Sequence, residues 1–172
     1  AERNQFVIDV WMGQGARIES TDAVMRGIEK RLSGKGDVVH YATFVGQSAP
    51  RFYYNVNPQQ PDPAYGQFIV NTKSVEATSR LVRDLRSELP GLFPEALVIV
   101  KELQQGQQME APVEVRISGD DIGELKRIGV RIEQILQSVP FSMYVHHDYF
   151  NDSCMLDVNI NNELANRLGI TN

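Results

Sequence analysis

The sequence contains one cysteine, Cys154, so no internal disulfide can close; a lone thiol leaves the compartment open. It also lacks a basic surplus. Seventeen Lys and Arg stand against 22 Asp and Glu, a formal charge of −5, which argues against nucleic acid as the main partner, because phosphate binding needs a basic surface. No aromatic-rich strand of the RNA-binding type is present, and no run approaches the about 20 apolar residues of a membrane span. Ala1-Glu-Arg-Asn-Gln5 leads straight into a strand pattern, so no signal peptide is expected. Gly13-Gln-Gly15 lacks the third glycine and immediate helix of a dinucleotide fingerprint, and Gly34-Lys-Gly36 lacks the spacing of a phosphate loop. Neither a hydrolase elbow nor a paired zinc-ligand motif occurs. No enzymatic activity and no cofactor are therefore expected.

What is present suits a chain that buries a core. Of 172 residues, 42% are hydrophobic and 23% charged, proportions ordinary for one large domain or two small ones. The abrupt start and stop suit a piece of a larger protein.

Phe6–Met12 alternates as a strand, with Phe6, Ile8 and Val10 on one face and Val7, Asp9 and Trp11 on the other. Ser20, Thr21 or Asp22 is expected to cap a helix carrying Val24, Ile28 and Leu32, closed by Gly34. Val38–Val45 is a second strand that runs into Gly46-Gln-Ser-Ala-Pro50, a set that breaks regular structure. Arg51–Asn57 reads as a third strand, hairpin-paired with the second, but Gln67–Thr72 competes for that place and the pattern leaves the choice open. Ser74 caps a helix with Leu81, Leu85 and Leu89, stopped by Pro90, and Ala96–Leu103 is a buried fourth strand. Strand–helix–strand repeated twice is the split βαβ, or ferredoxin-like, α+β pattern. Two helices cover one face of such a sheet, so Val7 and Trp11 look out from the other.

Gln104–Ala111 is polar and without periodicity, and the pattern then restarts. Residues 1–108 are read as one complete unit and 109–172 as the first part of a second. The second unit has a strand at Val113–Ile117 and a helix capped by Asp121 and Glu124, with Leu125, Ile128, Ile132, Ile135 and Val139 along it. Strands at Phe141–Tyr149 and Cys154–Ile160 and a short final helix with Leu164 and Leu168 complete it. No closing strand is found, so its sheet is incomplete.

Five segments, in order, resemble those of one family: Phe6-Val-Ile-Asp-Val-Trp-Met12, Ser20-Thr-Asp-Ala-Val24, Val45-Gly-Gln-Ser-Ala-Pro-Arg-Phe-Tyr53, Lys101-Glu-Leu-Gln-Gln-Gly106 and Pro112-Val-Glu-Val-Arg-Ile-Ser-Gly119. The family is the resistance–nodulation–division (RND) efflux transporters, and the resemblance covers essentially the whole chain, within the second large periplasmic loop. It implies a complete porter subdomain followed by a second one, cut where the family inserts its docking domain. It also implies a proton-driven homotrimer in the inner membrane, joined to a periplasmic adaptor and an outer-membrane channel. The portion represented here would lie in the periplasm, reaching the membrane only through parts absent from the sequence. The cargo would be amphiphilic small molecules or, in some branches, metal ions.

The substrate path is expected to draw on Trp11, Phe44, Phe52, Tyr54 and Tyr65, aromatics able to line an apolar pocket with polar edges; sheet packing is the plain alternative for each. Met109 lies at the boundary between units. By the resemblance, His146 and Asp148 border the cleft. The cluster from His146 to Cys154 offers imidazole, carboxylate and thiolate, but its two histidines alternate faces and Cys154 follows the apolar alternation, so no metal site is assigned. Asp9, Glu114 and Arg116 are read as ion-pair partners. Multidrug relatives carry a longer Gly/Phe-rich switch loop where Gly46, Gln47, Ser48, Ala49 and Pro50 stand, so these five are read as a shortened gate. A stand-alone small-molecule-binding regulatory module, a metal-exporting porter fragment and a purely structural assembly domain are the competing readings.

Overall fold

The computed structural model describes residues 3–52, 57–103, 113–149 and 157–161, with positions 165, 167 and 169. Strand β1, Gln5–Met12, buries Phe6, Ile8 and Val10 on one side and turns Val7, Asp9 and Trp11 to the other. Helix α1, Ile18–Ser33, buries Val24, Met25, Ile28 and Leu32, a stripe at three- and four-residue spacing. It starts earlier than its sequence signals indicate. Arg17 is the N-cap, without a side-chain bond, and Thr21 lies inside the helix, its hydroxyl donating to the Pro63 carbonyl at 2.6 Å. Gly34 closes α1 as expected.

Strand β2 is Val38–Val45, β3 is Tyr65–Thr72, helix α2 is Val75–Leu92 and β4 is Ala96–Glu102. Ser74 Oγ accepts from the Ala77 N–H at 3.2 Å and so caps α2. That helix continues through Pro90 to Leu92 rather than stopping at the proline, because only its last turn has to forgo the missing amide bond.

The strands form one antiparallel sheet in the order β2-β3-β1-β4, giving the α+β, ferredoxin-like arrangement expected of the βαββαβ series. In β1, Ile8 stands opposite Phe68 of β3 and Val100 of β4. Helices α1 and α2 cover one face, where Phe6, Ile8, Phe68, Val70 and Val100 meet Met25, Ile28, Leu32, Leu85 and Leu89. Each such side chain, fully removed from water, contributes about 1.5–3 kcal/mol.

The structure decides between the two candidate third strands. Tyr65–Thr72 pairs with β2, Thr43 opposite Phe68, whereas Arg51, Phe52 and Asn57 are not in a strand and Tyr53–Val56 lie outside the described residues. The connection from β2 to its partner therefore runs from 46 to 64. Gly46–Pro50 is the opening of a long connection, not a short hairpin turn, and the reading of it as a shortened loop is corrected accordingly. Tyr65–Thr72 is paired on both edges, by β1 and by β2, and most of its residues are buried.

After β4, helix α3, Ile122–Ser138, is capped by Asp121, whose Oδ1 accepts from the Glu124 N–H at 3.0 Å. Its Leu125, Ile128 and Ile132 are half-buried, and Ile135 and Val139 exposed. Val113–Ile117, Phe141–Tyr149 and Cys154–Ile160 are expected as strands; the first two, and the described part of the third, Asp157–Ile160, are not. Alternation only assigns sides; a strand also needs a partner backbone, and among the described residues these segments have no ladder. Positive φ at Phe141 (68°) and Tyr144 (57°) also breaks the extended course there. Cys154, Leu156, Leu164 and Leu168 lie outside the described residues, while Ala165 and Arg167 are helical.

Two side chains reach the outer edge of the sheet. The Val100 N–H of β4 donates to Tyr144 Oη at 3.2 Å, and Arg86 Nε donates to the Val100 carbonyl at 3.0 Å.

Candidate functional site on the helix-free face

Period-two alternation sends every second residue of the sheet away from the helices. On β1 these are Val7, Asp9 and Trp11; on β3 they are Tyr65, Gln67 and Ile69; on β4 Leu97, Ile99 and Lys101; on β2 Phe44. A carboxylate thus sits in the middle of a largely apolar face, with only 8% of Asp9 exposed.

Among the described residues, every partner of Asp9 comes from a neighbouring strand. Tyr65 Oη donates to Asp9 Oδ1 at 2.6 Å, and Gln67 Nε2 donates to the same oxygen at 2.8 Å. Lys101 Nζ lies 3.2 Å from Oδ2. Three donors compensate the cost of taking a carboxylate out of water. Burial, with the charge of Asp9 and its hydrogen bond in support, pushes the Tyr65 phenol far above its usual range, so this hydroxyl stays a donor. A phenol held protonated and a carboxylate saturated by donors form a fixed polar row, not an acid–base pair.

Aromatic surface adjoins the row. Trp11 and Tyr65 face each other in register, their rings 4.4 Å apart and tilted by 46°. The opening of the 46–64 connection lies on the same face: the Ala49 N–H donates to Gln67 Oε1 at 3.0 Å, and Phe52, like Ile69, packs against the cluster of Val7 and Leu103. Gly46, with φ of +75°, turns the chain out of β2, its N–H donating to the Tyr65 carbonyl at 2.8 Å. Ser48 Oγ accepts from the Gln59 N–H at 2.9 Å, tying the two limbs of the connection together. Gln47 and Pro50 are exposed.

The structure therefore gathers Trp11, Phe44, Phe52 and Tyr65 on one sheet face, with Gly46, Ser48 and Ala49 beside them. Tyr54 and Met109 lie outside the described residues. His146 and Asp148 are exposed and do not belong to the Asp9 network; a His146 ring nitrogen lies 2.7 Å from the Tyr144 carbonyl oxygen. The expected pairing of Asp9 with Glu114 and Arg116 is not formed. Asp9 pairs with Lys101, and Arg116 pairs with Glu114 at 3.3 Å. Lys101 is on the strand next to Asp9, so it reaches the carboxylate without leaving the sheet. Gln67 and Lys101 belong to the site although neither is an aromatic or a cluster residue of the kind the sequence singles out. The signal for them is a charge on each of two apolar strands, Asp9 and Lys101, at positions that alternation places on one face.

Among the described residues no helix is long and apolar enough to cross a membrane, and no three His, Cys, Asp or Glu side chains are grouped to hold a metal ion. Comparison with protein families matches residues 1–172 to the AcrB/AcrD/AcrF family. A search of curated proteins found no match.

Proposed function

Because the chain belongs to the AcrB/AcrD/AcrF family of RND transporters, we propose that it forms part of the substrate path of a proton-driven efflux pump. In this reading residues 1–108 are one porter subdomain and 109–172 the first part of the next, both on the periplasmic side of an inner-membrane pump. The pump would work as a homotrimer joined to a periplasmic adaptor and an outer-membrane channel, and its cargo would be amphiphilic small molecules. The observation that carries the reading is the family match across residues 1–172. The helix-free sheet face supports the assignment of the path, since Trp11, Phe44 and Phe52 offer apolar surface beside polar groups, as ligand sites commonly do. The segment from Gly46 to Pro50 serves as the start of a gate over that face, with Phe52 as its apolar contact. Tyr54, Met109, His146 and Asp148 line further parts of the path.

The test is export by the intact pump in cells lacking other pumps of broad range. Trp11→Ala and Phe52→Ala are expected to change the accumulation of some amphiphilic dyes and not others, with the pump still inserted at its usual level. Unchanged export of every compound by both variants overturns the assignment of this face. Saturable Ag(I) binding with no dye binding overturns the choice of cargo.

A further inference from the structure

We propose that Asp9 and Gln67 are positioning residues that latch the segment 46–52 onto the helix-free face of the sheet. The inference goes beyond the transport reading and does not depend on it. It starts from an asymmetry between the two side chains. An ionised carboxylate only accepts hydrogen bonds, whereas a primary amide presents a donor on one side and an acceptor on the other. Asp9 therefore dictates which way Gln67 lies. Nε2 must face the carboxylate, at 2.8 Å from Oδ1, and Oε1 is left pointing to the connection, where it accepts from the Ala49 N–H at 3.0 Å.

The relay is sealed. Gln67 is 4% exposed and Ala49 2%, so water offers the Ala49 N–H no easy substitute for Gln67. Three residues beyond Ala49, Phe52 packs against Val7 and Leu103. The latch thus sets the position of the apolar group that closes this part of the face. Asp9 is costly to bury, and a wholly apolar set of residues in place of the network would commonly be no less stable. What an apolar set could not do is orient an amide.

Asp9→Asn keeps the shape and reverses the orientation. Lys101 demands an acceptor where it meets residue 9, so the Asn oxygen faces Lys101 and its amide nitrogen faces Gln67. Gln67 must then offer its oxygen to Asn and its nitrogen to the Ala49 N–H, donor against donor. Gln67→Met removes both bonds at nearly constant volume. Tyr65→Phe removes one donor from Asp9 and leaves the orientation of Gln67 untouched.

The readout is trypsin cleavage after the exposed Arg51, followed by mass spectrometry on the 172-residue chain alongside its thermal melt. Cleavage there requires the segment carrying Phe52 to lift. Asp9→Asn and Gln67→Met are each expected to speed it by about two- to tenfold, the worth of one hydrogen bond, with Tyr65→Phe cleaved at the parental rate. A parental rate in either of the first two, or equal acceleration in Tyr65→Phe, overturns the latch. The unmodified chain provides a test that needs no variant. Its Ala49 amide is expected to exchange with deuterium at least tenfold more slowly than an open chain, and exchange at the open-chain rate overturns the proposal.

Discussion

A side chain cannot be added at Gly66 of β3 without moving the sulfur of Met25 on α1. A Cβ there would lie 2.7 Å from Met25 Sδ and 2.8 Å from its Cε, and Met25 is fully buried. Gly66→Ala is therefore expected to destabilise the fold by about 1–3 kcal/mol, as overpacking does. In a Met25→Ala background the same change should cost much less, because the space has been vacated. Urea denaturation of the four proteins measures the coupling; equal costs in both backgrounds would show that the contact does not set the helix–sheet distance.

Alkaline pH should act through Tyr65. Its folded-state pKa is raised above the ordinary 10.0, chiefly by burial. The folded form therefore holds a proton that the unfolded form releases. Stability from this group is complete below pH 10 and declines as pH rises beyond it. Tyr65→Phe should lower stability near neutral pH by about 1 kcal/mol and flatten its fall on the alkaline side. Denaturation midpoints from pH 8 to 11 test this, and an unchanged slope in the variant would contradict it.

Asp37 and Arg80 give the opposite sign. Arg80 Nη2 donates to Asp37 Oδ2 at 2.7 Å, tying the start of β2 to α2, and this bond holds the Asp37 carboxyl below its usual value of 3.8. The pair contributes above that value, and the contribution is lost as pH falls through the folded-state pKa. Replacing Arg80 by Gln should return the Asp37 pKa toward 3.8, read from its side-chain NMR shifts. Both groups are solvent-exposed, so 1 M salt should produce much of the same change.

Removing the cap of α2 is a local perturbation. Ser74→Ala leaves the Ala77 N–H without its acceptor and should cost about 1 kcal/mol. Ser74→Gly should cost only a few tenths of that. Comparable losses for the two would place the effect elsewhere than in the cap.

The elements legible in the sequence are those whose signals agree with one another. In β1 the alternation of Phe6, Ile8 and Val10 matches the side packed on the helices, and in α2 the cap at Ser74 precedes Leu81, Leu85 and Leu89 at helical spacing. Strand β3 was ambiguous because Gln67 and Asn71 look solvent-facing when read along one strand. Their partners are on others: Gln67 bonds Asp9, and Gln5 Nε2 donates to Asn71 Oδ1 at 3.0 Å. Polar cross-strand pairs disguise an inner strand as an edge. The aromatic face was readable for the same reason that β1 was, from Trp11 alternating against the core, whereas its coverage by Ala49 and Phe52 depends on contacts across the 46–64 connection. Beyond β4 the same alternation misleads, since Val113, Val115 and Ile117 carry the pattern without forming a ladder among the described residues.

The bonds at Val100 bear on how this sheet can be extended. Its amide and carbonyl lie on the outer side of β4, where an added strand would seek a donor and an acceptor, and Tyr144 and Arg86 already fill both roles. An incoming strand at that edge would have to displace a phenol and a guanidinium at one residue before its ladder could run through. Growth of the sheet is thereby biased toward β2, the opposite margin. The molecule has a direction in which it resists templating, set by side chains from a helix and from a turn.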